Sequence, residues 1–314
     1  MPSTKASPTA CLEDNYPLKI MKIPCSIGVF AHNEEANILH LLEALSTQRL
    51  DVVEISEIIV VSSASTDRTD DRVRNFAITH NAVTLFTQAK REGKSSAINL
   101  FMKQAREQIL VVISGDVIPA GDTIERLVSA FEDEGLGATG GRPVPVNKDD
   151  TFIGYCVNLL WRMHHRMAMI SPKLGEMIAF RKVMDGIPRE SAVDEASIEA
   201  IIRQQGLKLR YIPEAVIHNK GPESLKDFIK QRRRIQNGHL WLIRKQHYQV
   251  VSQDQSVLTK ILKAELRERP GDIWRLIPAI LLELYCRMLG SWDYFVRGKN
   301  PFAWEIATST KKIR

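Results

Sequence analysis

The chain is poor in the features that settle a protein's class at once. Cysteine is scarce: Cys11, Cys25, Cys156 and Cys286 stand far apart among 314 residues. No C-x-x-C pair occurs, so neither a zinc site nor a disulfide framework is expected, and free thiols in a reducing cytosol are the plain reading. No run of eighteen or more uncharged apolar residues is present, which argues against a spanning helix. Residues 1–22 carry Lys, Asp, Glu and Pro without an apolar stretch of signal-peptide length and read as a flexible tail. Two glycine fingerprints of phosphate binding are also missing. There is no G-x-G-x-x-G after the first strand and no G-x-x-x-x-G-K-[ST] anywhere, which removes the main support for a dinucleotide dehydrogenase or a P-loop enzyme.

What remains is an ordinary globular composition, 44% hydrophobic and 25% charged, long enough for one large domain or two. The net charge of +6 favours an anionic partner such as a nucleotide or a lipid surface. Nucleic-acid binding would rest only on that charge and on the run Arg232 to Arg234, and is not expected.

Apolar runs and turn residues alternate in a regular way. Cys25 to Phe30 reads as a buried strand, followed by an amphipathic helix with Ile38, Leu39, Leu41, Leu42 and Leu45 on its apolar face. Asn33 is the expected cap, with Glu34 and Glu35 in the positive first turn. Ile55 to Val61 and Thr84 to Phe86 are further strands, and Ser95 to about Gln108 is a helix. Ile109 to Ser114 is a fourth strand running into Gly115 and Asp116. Three strand–loop–helix repeats predict a doubly wound parallel sheet whose polar loops gather on one edge. Helices are expected over Thr123 to Glu132 and Phe152 to Ile170. Another starts at a capping box, Ser191 to Asp194, and ends at Gly206, and Ser224 caps a basic one. Leu209 to Ile212 and Ala215 to His218 read as two short strands.

Asn33 and Glu35, the cluster Ser62 to Asp67, Arg91 with Lys94, and Asp116 would therefore line one crevice. Polar groups for a base, cations for phosphates and a carboxylate for a metal together suit a nucleotide diphosphate held through a divalent ion.

The runs AHNEE, VVSSASTDRT, REGKSSAIN, SGD, GEMIAFR, VDEASIEAII and QRRRI, in that order over roughly Ile20 to Gln246, resemble the family-2 glycosyltransferases of the GT-A fold. The resemblance implies an α/β fold, a Rossmann-like and mostly parallel central sheet flanked by helices, over residues 23–248. It also implies an inverting transfer from a nucleotide-sugar donor, a UDP or GDP sugar, to an acceptor hydroxyl, assisted by Mg or Mn. Under it, Ala31, Asn33 and Glu35 match the family's nucleoside-binding motif. Ser62 and Ser63 stand where many relatives carry acids that recognise uracil, and Asp67 matches the acid of the STD turn, with an Asx-type cap as the alternative. Arg91, Gly93 and Lys94 match the loop that contacts base or phosphates. Gly115 and Asp116 end the D-x-D motif, with Ser114 in place of its first acid. Asp116 is then the metal ligand, and His218 is a candidate second ligand, with an ordinary structural histidine as the alternative. Asp194 and Glu195 occupy the catalytic-base motif, and which of them is the base stays open. Gln231, Arg233 and Arg234 match a Q-x-x-R-W motif in which Ile235 replaces Trp, and Arg232 reads as a solvated face.

Residues 249–314 form a separate helical region. Between Ile273 and Val296 an apolar face of helical spacing stands opposite Arg275, Glu283, Arg287 and Asp293. A membrane-interfacial helix and a helix packed on the catalytic domain are both consistent with that pattern. The first would make the protein a peripheral one at the inner face of a membrane, with a lipid or lipid-linked acceptor. A degenerate nucleotide-sugar binder without turnover, suggested by the serines at 62, 63 and 114, and a sugar-phosphate nucleotidylyltransferase are the competing readings.

Overall fold

A computed structural model describes residues 22–299, so the tail expected over 1–22 lies outside the described residues except for Lys22, as does 300–314. The sheet is built first. β1 (Ile23–Ala31), β2 (Val53–Ser63), β3 (Val83–Gln88) and β4 (Ile109–Ser114) pair in parallel in the order β3-β2-β1-β4. The helices α1 (Ile38–Ser46), α2 (Thr69–Thr79) and α3 (Lys94–Gln104) cross between them. Side chains alternate across the strands. Cys25, Ile27 and Val29 join α1 in one core, while Leu110 and Val112 join α3 and Phe180 in the other. The sheet then continues through β7 (Met177–Arg181), β6 (Leu136–Pro145), β8 (Lys208–Asn219) and β5 (Val117–Pro119), with antiparallel ladders at β4–β7, β6–β7 and β5–β8. The mostly parallel α/β sheet expected from the alternation is present, with a mixed half added.

Register fixes where the loops emerge. Ala31 stands opposite Ser62, Phe30 opposite Ser114 and Ser63 opposite Gln88, so β1, β2, β3 and β4 all end on one edge. The remaining helices are α4 (Thr123–Ser129), α5 (Phe152–Ile170), α6 (Asp194–Gln204), α7 (Leu225–Gln246), α8 (Gln255–Glu268) and α9 (Ile273–Phe295). Helices α5, α7, α8 and α9 share a third apolar core that includes Tyr155, Phe228, Ile261 and Cys286.

Four local expectations are corrected. Asn33 does not cap α1: it sits at φ 54, turning the chain out of β1, and Asn37 occupies the cap position after a turn over Glu34. Ser191 does not cap α6. Its hydroxyl is spent on Ser197 Oγ at 2.7 Å, and Val193 takes the cap position without a side-chain bond. Helix α3 stops at Gln104 because the Arg106 amide and guanidinium turn to Glu57, at 2.8 and 3.0 Å. The two strands expected around Pro213 are one, and the irregularity between Gly140 and Arg142 on β6 absorbs the break. By contrast, Ser224 caps α7 as the sequence predicts, accepting from the Asp227 amide at 3.1 Å.

Helix α9 buries charge beside Leu276, Ala279 and Cys286 and leaves much of its apolar face outside. Glu283 and the fully buried Asp293 face α7, where Arg232 and Arg233 pair with them. Trp274, Ile277, Leu281, Leu284, Met288 and Trp292 are left exposed. Gly290 makes this approach possible, since a Cβ there would lie 2.6 Å from the Arg233 carbonyl oxygen. Gly290→Ala is therefore expected to destabilise the fold by about 1–3 kcal/mol through forced separation of α7 and α9, read as a lowered midpoint in urea denaturation.

Candidate active site

The edge where β1, β2 and β4 end is the mouth of a cavity of about 650 Å³. Ala31, Ser63, Arg91, Gly93, Lys94, Ser114 and Asp116 line it together with Asp194, Glu195, Gln231 and Arg234. The structure thus gathers most of the sequence-predicted residues into one space. The lining also takes in apolar side chains of α5, α8 and α9, among them Trp161, Leu258, Leu262, Ile280 and Leu284.

At the centre is an ion cluster. Lys94 opens α3, just after Gly93, whose φ of 89 suits glycine alone. Its Nζ donates to Glu195 Oε1 at 2.7 Å and lies 3.6 Å from Asp194 Oδ2. Ser95 Oγ donates to Asp194 Oδ1 at 2.6 Å. Burial opposes the charge on Lys94, but Glu195 and then Asp194 overcome it and raise the ammonium above its usual range. Burial also works against ionisation of both carboxylates. For Asp194 it prevails and the group is raised, whereas for Glu195 the Lys94 charge and hydrogen bond outweigh it and the group is lowered. Glu195 is the more accessible of the two, with its side chain 23% exposed against 7% for Asp194.

Other predicted residues lie behind the cavity wall and hold it together. Asn33 Oδ1 accepts from the Thr66 amide at 2.8 Å, and Asp67 Oδ2 accepts from the Glu35 amide at 3.1 Å. Glu35 Oε2 accepts from the Arg68 amide at 3.1 Å, so these side chains lace the β1–α1 loop to the β2–α2 loop. Asp67 also accepts from the Thr69 amide at 3.0 Å, the Asx turn that was its alternative reading. Ser62 is fully buried, with its hydroxyl on Ser65 at 2.8 Å. Gly115 is a packing position, where a Cβ would meet Glu34 Cγ at 3.0 Å and the Phe30 carbonyl at 3.2 Å.

Two arginines and a histidine fall elsewhere than expected. Arg233 is outside the cavity lining because its guanidinium is held by Asp293. Arg232, expected on a solvated face, is paired with Glu283 at 2.7 Å and lines the cavity. His218 pairs with Ile118 in the β5–β8 ladder and does not line the cavity, whereas its neighbour Asn219 does. Successive strand residues point to opposite faces, so only one of the two can turn inward.

Several lining residues were not singled out by the sequence: His32, Glu34, Lys173, Glu176, Glu199 and Asn219. Burial, with Asp116 and Glu195 beside it, pushes the Glu176 carboxyl up to about 7. Burial likewise raises Glu199 to about 7, despite a 2.7 Å hydrogen bond from Tyr248, and lowers Lys173 to about 8. The signals at Glu176 were its place in the run GEMIAFR and an acid directly before a buried strand. Among the described residues no three His, Cys, Asp or Glu side chains are grouped to hold a metal ion.

The description Glycosyl transferase family 2 matches residues 26–201. The chain is 25% identical over 236 residues to a protein named probable glycosyltransferase YdaM of Bacillus subtilis, covering 70% of this chain and 56% of that one. It is 28% identical over 116 residues to glycosyltransferase AglE of Haloferax volcanii, covering 37% and 38%. The match thus spans little more than half of the first relative and less of the second. Among solved structures, mannosyltransferase PcManGT from Pyrobaculum calidifontis, in complex with GDP-Man and Mn2+, superposes with a TM-score of 0.58 at 23% identity over 90% of this chain and 82% of that one. Glucosyl-3-phosphoglycerate synthase from Mycobacterium tuberculosis, in complex with Mn2+, UDP and glucosyl-3-phosphoglycerate, gives 0.50 at 20% identity over 70% and 79%. Both likenesses are of fold.

Removing the cation at the centre of the site has a signed consequence. Lys94→Met strands two buried carboxylates and is expected to cost about 3 kcal/mol at pH 7. The Glu195 contribution exists above the unfolded glutamate range and is lost as pH falls through its lowered folded value. The gap between wild type and variant in urea denaturation should therefore hold from pH 7 down to the unfolded glutamate value of 4.5 and narrow below it.

Proposed function

The chain belongs to glycosyl transferase family 2, and on that premise we propose that it moves a sugar from a nucleotide-diphosphate sugar to an acceptor hydroxyl with inversion at the sugar carbon. The observation that carries this reading is one cavity lined by Asp116, Arg91 and Lys94 together with the Asp194–Glu195 pair, with Lys94 bonded to that pair. The cations would receive the diphosphate, and the carboxylates the acceptor.

In this reading Glu195 is the base. It is the more exposed carboxylate, and one of its oxygens, Oε2, is left free by the Lys94 bond to Oε1. Asp194, fixed by Ser95, positions the start of α6 and shares the Lys94 charge. Arg234, whose Nε is buried without a partner, is placed to meet an anionic oxygen in the cleft. Asp116 offers the hard oxygen that a divalent cation prefers, and such a cation, when bound, offsets the charge gathering on the departing diphosphate. Inversion needs a single displacement with the base opposite the leaving group and no covalent intermediate.

The acceptor in this reading is lipid or lipid-linked. The apolar part of the cavity lining includes Leu284, which also stands on the exposed stripe of α9 with Trp274, Leu281, Met288 and Trp292. An apolar tail lying along that stripe could enter the cavity there while its polar head reaches Glu195. The aromatic residues and the flanking Arg275, Arg297 and Lys299 suit the headgroup zone of an anionic membrane, where the helix would lie flat. No helix among the described residues is long and apolar enough to cross a bilayer.

Two measurements test the reading. A thermal-shift screen of UDP and GDP sugars with Mn2+ should raise the unfolding midpoint for one donor class. Transfer or donor hydrolysis with that donor should fall by about 10²–10⁴-fold in Glu195→Gln. Unchanged turnover in both Glu195→Gln and Asp194→Asn would overturn the assignment of the base. For the membrane contact, the protein should float with vesicles containing anionic lipid, and a Trp274→Ser, Leu281→Ser, Trp292→Ser variant should remain in the soluble fraction. Equal flotation of the variant would remove α9 as the contact.

A further inference from the structure

Beside the expected metal carboxylate lies a set of oxygen atoms that donor and base do not use. Asn219, the last residue of β8, is 5% exposed, and its Oδ1 is buried without a hydrogen-bond partner. Its Nδ2 donates to Glu176 Oε1 at 3.2 Å. That bond sets the amide orientation, because the opposite one would press Oδ1 against a carboxylate oxygen.

Register brings these atoms to Asp116 from two directions. Asn219 stands opposite Val117, the residue that follows Asp116, and Met177, which follows Glu176, stands opposite Ile113 near the end of β4. Asp116, Glu176 and Asn219 all line the same cavity. Glu176 is held there at φ 54, a left-handed conformation that costs a non-glycine residue roughly 1 kcal/mol or more and persists only when its surroundings impose it. Two carboxylates and an orphaned amide oxygen share one cavity lining, with Asp116 close enough to act on the Glu176 charge; the Asn219 amide is spent on Glu176, and Lys94, which also acts on Glu176, is bonded to Glu195. Water or a hard cation can satisfy such a set, and only the cation also cancels its charge.

We propose that Glu176 and the Asn219 side-chain oxygen join Asp116 in the divalent-cation site of this enzyme, replacing the carboxylate that Ser114 does not supply. The inference rests on the donor reading above, since diphosphate oxygens and water would complete the shell. The third ligand is an amide, a type outside the carboxylate, imidazole and thiolate groups that usually mark a site. An all-oxygen set selects Mg²⁺ or Mn²⁺ and disfavours Zn²⁺.

The test is direct titration of Mn²⁺ alone into the whole protein, followed by electron paramagnetic resonance of the free ion. Wild type should bind one Mn²⁺. Glu176→Gln and Asn219→Ala should each weaken it by at least about tenfold, and Asn219→Asp should tighten it. Glu176→Gln should keep or raise the metal-free unfolding midpoint, because it removes a buried carboxylate. Unchanged Mn²⁺ affinity in a folded Glu176→Gln protein, with affinity lost in Asp116→Asn, would overturn the proposal. Should Glu176→Gln not fold, unchanged affinity in Asn219→Ala overturns it equally. The donor reading is separated by nucleotide binding in EDTA. Wild type that binds UDP or GDP but no Mn²⁺ ends the metal proposal alone, and wild type that binds Mn²⁺ through Glu176 but neither nucleotide ends the donor reading alone.

Discussion

Everything in the cleft depends on the ammonium of Lys94. Two neighbouring carboxylates at the start of α6 cannot both ionise in a buried setting without a nearby cation, and Lys94 is the one that reaches both. It comes from the loop that follows β3, so a single ion cluster pins the nucleotide side of the cavity to the base side across 101 positions of chain. Under the proposed function the lysine also stands where a diphosphate's charge would arrive. The same group therefore serves the packing of the site and its electrostatics, which is why Gly93, Ser95 and the first turn of α6 are fixed so closely around it.

The parallel strands β1 to β4, their order of appearance and the edge on which their loops gather were legible in the sequence, because each is a local pattern of apolar runs and turn residues, whereas β5 was not expected and β8 was read as two. Helix α5 over Phe152–Ile170 and the Ser224 cap belong to the same class. What the pattern could not show is where a polar side chain spends its hydrogen bonds. Asn33 and Ser191 carry the right chemistry for helix caps, yet Asn33 is claimed by Thr66 from another loop and Ser191 by local partners, Ser197 and the Val193 amide. Arg232 and Arg233 likewise look solvated or catalytic until α9 supplies Glu283 and Asp293.

The site itself was read unevenly for a related reason. Residues at strand ends, such as Ala31 and Asp116, and at helix starts, such as Lys94, Asp194 and Glu195, follow from the alternation plus the motif order. His218 and Asn219 illustrate the limit: in a strand, one position decides which face a side chain takes, and the sequence does not state the register. Glu176 was hidden differently: it lies in the run GEMIAFR that supports the resemblance, yet no role was assigned to it. Its left-handed backbone and its meeting with Asn219 are products of the sheet's mixed half, where β5, β7 and β8 converge.

The charge buried by helix α9 has a mechanical consequence. A surface helix that packs through apolar side chains can be peeled away and its buried face offered to lipid instead. Here the inward side holds Glu283 and Asp293 against arginines of α7, and detaching it would strand charges on both helices. The C-terminal helix is thus no swinging arm but a fixed keel, and whatever its outer stripe rests on, the catalytic domain must rest at the same angle.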